Sequence, residues 1–514
     1  MGQHSTWLTG WVRCLCILLC IAIIPGCATQ ATLSAKASSK FSEALREDEG
    51  ALALRITATD TGLRSPFQYW QTAVLQRLDG KDTGKQYEIQ VNTQGASGSA
   101  TYLGRLPEGA YGLAELSCSP CGGMTTKLTL KSEVRRFQVH RGAITYGGHF
   151  AYTRAGQQSG QLIPSATIDV ENFKQWLNAY APNNSDIPVK TNGSKPPTES
   201  AFKAIQNEAI GLSHPTTLPN GDVLFTSTSG SLRRFTWTRG ALSSINTGMQ
   251  SRAHALLVLD EQTWLVGGEF NEMRLTTDAG RTWRPYALPI PYGVIRGLYQ
   301  RSDKRLIAFV QQEKHLSMMV GGLDGKGWES TGEFRFGSDQ GSGGSMEPRV
   351  WRDPSKPNRI VLIVPEEQSW IVDTDSGSRT PVDFPGAVVM TTLSADDVFR
   401  CRCNRTGTWI SNWESQDLGK RWQDSSLDRS MALPVFKNRQ TGFTSTGFNI
   451  QMTTDGGRTW GQVHQFHRPR WDSMVVPYHL TYLFIGPQHI LATDGLGELV
   501  ASTNGGRSWM AVGP

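Results

Sequence analysis

Thr453-Thr454-Asp455-Gly456-Gly457-Arg458-Thr459-Trp460 decides the fold, because the chain repeats it. Thr276-Thr277-Asp278-Ala279-Gly280-Arg281-Thr282-Trp283 is a second copy, and Ser502-Thr503-Asn504-Gly505-Gly506-Arg507-Ser508-Trp509 a third. Ser415-Gln416-Asp417-Leu418-Gly419-Lys420-Arg421-Trp422 is a looser fourth. A hydroxyl residue stands first, Asp or Asn third, Gly fifth and Trp eighth. The acid can accept backbone N–H bonds within its own turn. The glycine supplies a backbone conformation that other residues resist. The indole is a wedge that buries on the order of 200 Å². Asn504 keeps the acceptor without the charge.

Worn copies fill the gaps, at Asp324 before Gly325-Lys326-Gly327-Trp328 and at Asp375 within Asp373-Thr374-Asp375-Ser376-Gly377. Successive acids stand 38 to 51 residues apart. A period of that size marks a propeller blade of four short strands. The span 202–514 holds about seven such units, the first of them, His214 to Asn246, without a clear phrase. Inner strands are expected at Ala253 to Leu259, Val294 to Tyr299 and Tyr482 to Ile485.

The phrase resembles the Asp-box (BNR repeat) of sialidase-type and related β-propellers. Within that superfamily the copies are most similar to the photosystem II assembly-factor and sortilin-type group. The resemblance covers about residues 202–514 and is specific for fold. It implies that the boxes lie on the outer rim, away from the central funnel. Asp278, Trp283, Asp417, Trp422, Asp455, Trp460, Asn504 and Trp509 are therefore read as structural turn and wedge residues.

Upstream, Arg13 is the only charged residue before Cys27, and the apolar run Cys14 to Ile24 is too short to span a bilayer. With Ile24-Pro25-Gly26-Cys27 it resembles a bacterial lipoprotein signal, which implies residues 1–26 as signal peptide and Cys27 as an acylated, palmitate-bearing N-terminus. Ala28-Thr29 after the cysteine implies the outer membrane, facing the periplasm or the cell surface. Residues 27–50 read as a lipidated, flexible tether. From 51 to 165, short alternating strands separated by Asp79-Gly80, Pro107-Glu108-Gly109 and Arg141-Gly142 predict a small β-sandwich. It resembles transthyretin-like or immunoglobulin-like modules of bacterial lipoproteins. Residues 166–201 read as a helix from Asp169 to Tyr180, apolar at Phe173, Trp176, Leu177 and Tyr180, followed by a linker. The whole is all-β, with a propeller after a sandwich.

Propeller chemistry usually sits where inner strands converge. Arg252, His254, Arg296, Arg349 and His479 stand near inner-strand starts, and Arg352 at a strand end. Arg252, Arg296 and Arg349 superficially fit the arginine triad that sialidases use on a substrate carboxylate. However, the Arg-Ile-Pro phrase that opens sialidase domains is absent, since Val294-Ile295-Arg296-Gly297 does not match it, and no Tyr–Glu pair can be placed by spacing. The arginines fit an anion- or partner-binding surface.

Cys118, Cys121, Cys401 and Cys403 lie beyond the signal, and an exported chain can oxidise them. Their proximity favours two local disulfides, although four cysteines allow three pairings. No metal site and no cofactor is expected. A net charge of +6 over 514 residues does not indicate a nucleic-acid binder. The leading expectation is a non-enzymatic envelope scaffold that presents a propeller face to a protein or glycan. The alternatives are an exo-glycosidase of sialidase type and a structural component of an envelope assembly.

Overall fold

The computed structural model describes residues 35–36, 45–58, 72–94, 99–121, 124–130, 136–154, 160–164, 169–192, 212–335, 348–353, 356–364, 367–394, 397–404, 410–425, 432–446, 449–466, 481–493 and 498–513. From Ser213 onward these residues form seven separate four-stranded antiparallel sheets, each with its strands in chain order. The blades run Ser213–Ile245, Ala253–Tyr286, Val294–Arg335, Arg349–Val382, Ala387–Asp424, Val435–Gln465 and Thr481–Ala511. The first strands of blades 1 to 4 lie against one another, so the first strand of a blade is the inner one. The three inner strands expected from sequence appear as Ala253–Val258, Val294–Gln300 and Thr481–Phe484. Apolar side chains between blades supply the core. Leu265 and Leu275 of blade 2 meet Ile295 and Leu306 of blade 3, and Phe309 and Leu316 of blade 3 meet Ile360 and Leu362 of blade 4.

Among the described residues, no sheet borrows a strand from the other end of the chain. The ring closes by packing instead. Phe225 and Phe235 of blade 1 meet Leu491 and Leu499 of blade 7, and a backbone bridge joins Ala241 to Gly513.

The box turns of blades 2, 5, 6 and 7 share one geometry, between third and fourth strands. In blade 6 the Thr453 hydroxyl donates to Asp455 Oδ1 at 2.7 Å and accepts from Gly457 N at 2.9 Å. Asp455 accepts from Thr459 N at 3.0 Å and from the Thr459 hydroxyl at 2.6 Å. Trp460 Nε1 closes the turn on the Gly457 carbonyl at 3.1 Å. In blade 7 the Asn504 amide donates to Ser508 Oγ at 2.7 Å, which replaces the bond that a second carboxylate oxygen would accept. Residues four and five of each box are both left-handed, including Ala279 and Leu418, at φ 57° and 59°.

Two details differ from the sequence reading. Trp283, Trp422 and Trp460 are half-buried, and only Trp509 is buried. A rim position leaves one indole edge in water. In blade 4, Asp373 rather than Asp375 organises the worn turn, accepting from Ser376 N and Oγ, each at 2.8 Å. Asp375 instead accepts from Ser302 N of blade 3 at 3.0 Å.

The N-terminal region is one hydrogen-bonded set of eleven strands. Gln86–Gln94 pairs with Ser99–Pro107 on one side and Thr72–Arg77 on the other, so it carries the sheet from one layer to the next. The layers enclose Leu54, Leu75, Tyr102, Tyr111, Phe137 and Phe150. Part of the stretch read as tether is in strands here. Ala35–Lys36 pairs with Tyr87 and Glu88, and the strand Glu49–Ala58 begins before residue 51. The helix spans Val170–Tyr180, with Asp169 accepting from Asn172 N at 3.0 Å as its N-cap and Phe173, Trp176 and Leu177 buried. Residues 1–34, Cys27 among them, lie outside the described residues.

Candidate functional site

In a four-stranded antiparallel blade, the turn between strands one and two and the turn between three and four share one end. The turn between two and three shares the other end with the connection to the next blade. The boxes join strands three and four. The starts of the inner strands therefore lie at the end opposite the boxes, and Arg252, His254, Arg296 and Arg349 come with them.

Sheet register then singles out three blades. In blade 2, Ala253 pairs with Gly268 and Ala255 with Gly267, leaving His254 as an extra residue. In blade 3, Ile295 pairs with Val310 and Gly297 with Phe309, leaving Arg296. In blade 1, Ser213 pairs with Thr226 and Thr216 with Leu224, leaving His214 and Pro215 opposite one residue. A bulge re-aims the inserted side chain and is common beside binding sites. His214 also carries a left-handed φ of 47°. Three adjacent blades thus insert a basic side chain at one level of the funnel. Blade 5 has the same shift but inserts Val389, and Arg349 of blade 4 starts its strand in register and is exposed.

The inserted groups share one electrostatic field. Burial, then the positive charges of Arg296 and Arg252, hold the His254 imidazole well below its usual pKa. His214 stands exposed at the head of its strand, and desolvation there, then the charges of Arg252 and Arg296, lower its pKa. Both imidazoles are neutral at pH 7, and the guanidinium groups carry the charge. His254 is 7% exposed, and its Nε2 lies 3.1 Å from Oε1 of Glu269, which is 0% exposed. An ionised Glu269 would only accept, which would put the proton on Nε2. Arg296 Nε donates to Gln311 Oε1 at 2.6 Å, which fixes the guanidinium's direction. Gly268 permits the close approach of the chain ahead of blade 2, since a Cβ there would meet the Arg252 carbonyl oxygen at 2.3 Å.

This arrangement can hold an anion: the held guanidinium of Arg296 and the half-buried Arg252 beside neutral imidazoles. It joins Arg252, His254 and Arg296 and leaves the other candidates elsewhere. Arg352 lies at the box end, its guanidinium 5.3 Å from the Tyr299 ring centre, where burial lowers its pKa. His479 lies outside the described residues. Cys401 and Cys403 are joined to each other inside the second strand of blade 5, with Cα atoms 5.7 Å apart. Cys118 and Cys121 are placed by their backbone alone, where Cys118 pairs with Thr126 and Cys121 with Met124, and the disulfide expected between them lies outside what is described. Sequence reading missed His214, Glu269 and Gln311. His214-Pro215 at the head of a predicted strand was the available signal for the first. Gln311 enters from a second strand and Glu269 from the turn that follows one, and no phrase marks either.

No family model matches the chain, and no curated protein matches it. Solved structures do. The chain is similar to YCF48 bound to a D1 peptide at 15% identity, over 58% of this chain and 95% of that one, with a TM-score of 0.44. It is similar to a virginiamycin B lyase from Staphylococcus aureus at 13% identity, over 58% and 96%, with a TM-score of 0.42. It is also similar to an ancestral GH74 enzyme at 13% identity, over 60% of this chain and 46% of that chain, with a TM-score of 0.43. These are likenesses between propellers, and the fold itself stands on the seven sheets and their box turns: the chain is a seven-bladed Asp-box β-propeller preceded by a β-rich N-terminal region.

Proposed function

We propose that the protein is a non-enzymatic binding scaffold of the cell envelope, whose funnel receives an anionic group of a protein or glycan partner. The observation that carries this reading is the bulge repeated in three adjacent blades, which inserts His214, His254 and Arg296 beside Arg252. Arg252 and Arg296 supply the charge, and the imidazoles supply hydrogen bonds without adding charge at neutral pH. A lipid on Cys27 holds the chain at the outer membrane and the propeller stands off from it. The test is calorimetric titration of the full chain with inorganic phosphate and with succinate. Binding that weakens with salt and in Arg296→Ala supports the reading.

One observation favours a second reading. Glu269 is a buried carboxyl group against His254, at the same end of the blades as the arginines, and a glycosidase needs a carboxyl group near its substrate site. Turnover of a fluorogenic glycoside, lost in both Glu269→Gln and Arg296→Ala, would establish the exo-glycosidase instead.

A further inference from the structure

Glu269-Phe270-Asn271-Glu272 is the turn between the second and third strands of blade 2, at the funnel end. Each of its four residues holds a different piece of the molecule. Glu269 holds His254. Asn271 donates its N–H to the Gly293 carbonyl at 2.7 Å and its side-chain amide to Ile290 O at 2.7 Å, fixing the segment that leads to Arg296. Glu272 accepts from Ser251 N at 2.9 Å and from the Ser251 hydroxyl at 2.8 Å, fixing the segment that leads to Arg252. Phe270 faces the other way, into the N-terminal region.

There it is gripped from three sides. The Arg55 guanidinium lies 4.4 Å from the centre of its ring, and His149 meets the ring edge-on at 5.4 Å between centroids. Asn172 of the helix donates to the Phe270 carbonyl at 2.9 Å and accepts from Arg55 Nη1 at 2.5 Å. Arg55 is 3% exposed and Phe270 8%. Phe270 and Asn271 both sit at φ 57°. Two successive left-handed residues suit Asn-Gly in a hairpin, and a bulky aromatic is an outlier there. Such a conformation persists where its surroundings over-determine it. Among the described residues, the cation and ring partners of Phe270, Arg55 and His149, both come from the N-terminal region.

We infer that the N-terminal region is a positioning element of the funnel: Arg55 and Asn172 hold the Phe270 turn, and that turn sets His254, Arg252 and Arg296 for anion binding. This rests on the funnel reading above, and the test separates the two. Full-length Arg55→Met, Asn172→Ala and Arg55→Lys chains are compared with wild type by the Cε1–Hε1 NMR signals of His254 and His214 without ligand, and by affinity for inorganic phosphate. We expect the His254 signal to move or split in Arg55→Met and Asn172→Ala, with phosphate affinity down about tenfold while the chain's thermal unfolding stays cooperative. Arg55→Lys, which keeps a cation over the ring, should restore part of both. If Arg55→Met does not fold, Asn172→Ala decides, because Asn172 is half-buried at the start of a helix that keeps its apolar face. An unmoved His254 signal in folded Asn172→Ala overturns the inference whether or not phosphate binds. A wild-type chain that ignores phosphate overturns the funnel reading, and the His254 signal still decides the positioning.

Discussion

His254 and Glu269 meet at 3.1 Å inside the funnel, one from the bulge of an inner strand and the other from the end of the neighbouring strand, and both are buried. The pair places a buried carboxyl group against His254, whose surroundings include Arg252 and Arg296. It therefore orients His254, and an ionised Glu269 would temper the field that an incoming anion meets.

Replacement of the Glu269 carboxyl group separates a binding funnel from a hydrolytic one. Glu269→Gln should raise phosphate affinity several-fold, measured by calorimetry, and cost about 1–3 kcal/mol of stability through the altered buried pair. Unchanged affinity would mean that the carboxylate does not face the anion's field.

The junction also makes stability depend on pH. His149 Nε2 bonds the Thr57 hydroxyl at 2.7 Å, and burial, with the Arg55 charge, pushes its pKa down from 6.5 to about 3. The unfolded chain protonates this residue below about 6.5 while the folded chain does not, so stability falls as pH drops through 6.5 and continues to fall towards 3. At pH 4.5 the loss is about 2–3 kcal/mol relative to pH 7.5. His149→Gln should flatten that slope in denaturant titrations, leaving only what other groups contribute. An identical slope in the variant would contradict the assignment.

The boxes add a second acid-sensitive contribution at lower pH. Hydrogen bonds from the Thr282 hydroxyl and N–H, then from Thr276, hold Asp278 down at about 2, and Asp455 is lowered in the same way by Thr459 and Thr453. Their contribution is full above about 4 and is lost as pH falls through 2. Asp455→Asn should therefore be mild at pH 7, as natural Asn504 indicates, and should reduce the acid sensitivity. Trp460→Ala removes a half-buried wedge and should cost about 2 kcal/mol. Thermal melts of the two variants at pH 7 check the order, and an equal loss from both would contradict it.

Close packing behind a box can be probed at Gly506. Its φ is +91°, and a Cβ would meet the Phe443 ring at 2.3 Å. Gly506→Ala should cost at least about 1–3 kcal/mol, from overpacking plus left-handed strain. A variant as stable as wild type would show that the blade 6–blade 7 contact is looser than described.

The architecture was legible because it is written locally. Each box is eight contiguous residues whose hydroxyl, acid, glycine and indole bond to one another, so spacing alone counted the blades. Blade 1, His214 to Asn246, lacks the phrase and was counted only from the length of the span divided by the repeat period. The site was legible in part. Arg252, His254 and Arg296 could be found by looking at inner-strand starts. Glu269 and Gln311 could not, because their relation to those residues is made by pairing between strands rather than by spacing. The grip of Arg55 on Phe270 joins residues more than two hundred positions apart and leaves no periodic trace. Asp375 misled because it sits two residues from the acid that organises its turn.

The anion site proposed at the bulges of blades 1 to 3 remains the feature on which the function turns. Its most direct measurement is the phosphate dissociation constant of the full chain at two salt concentrations, for wild type, Arg296→Ala and Arg349→Ala. The expected result is salt-sensitive binding, weakened about 10- to 100-fold by Arg296→Ala and far less by exposed Arg349→Ala. Binding that is absent in the wild type, or equally weakened by both substitutions, would contradict it.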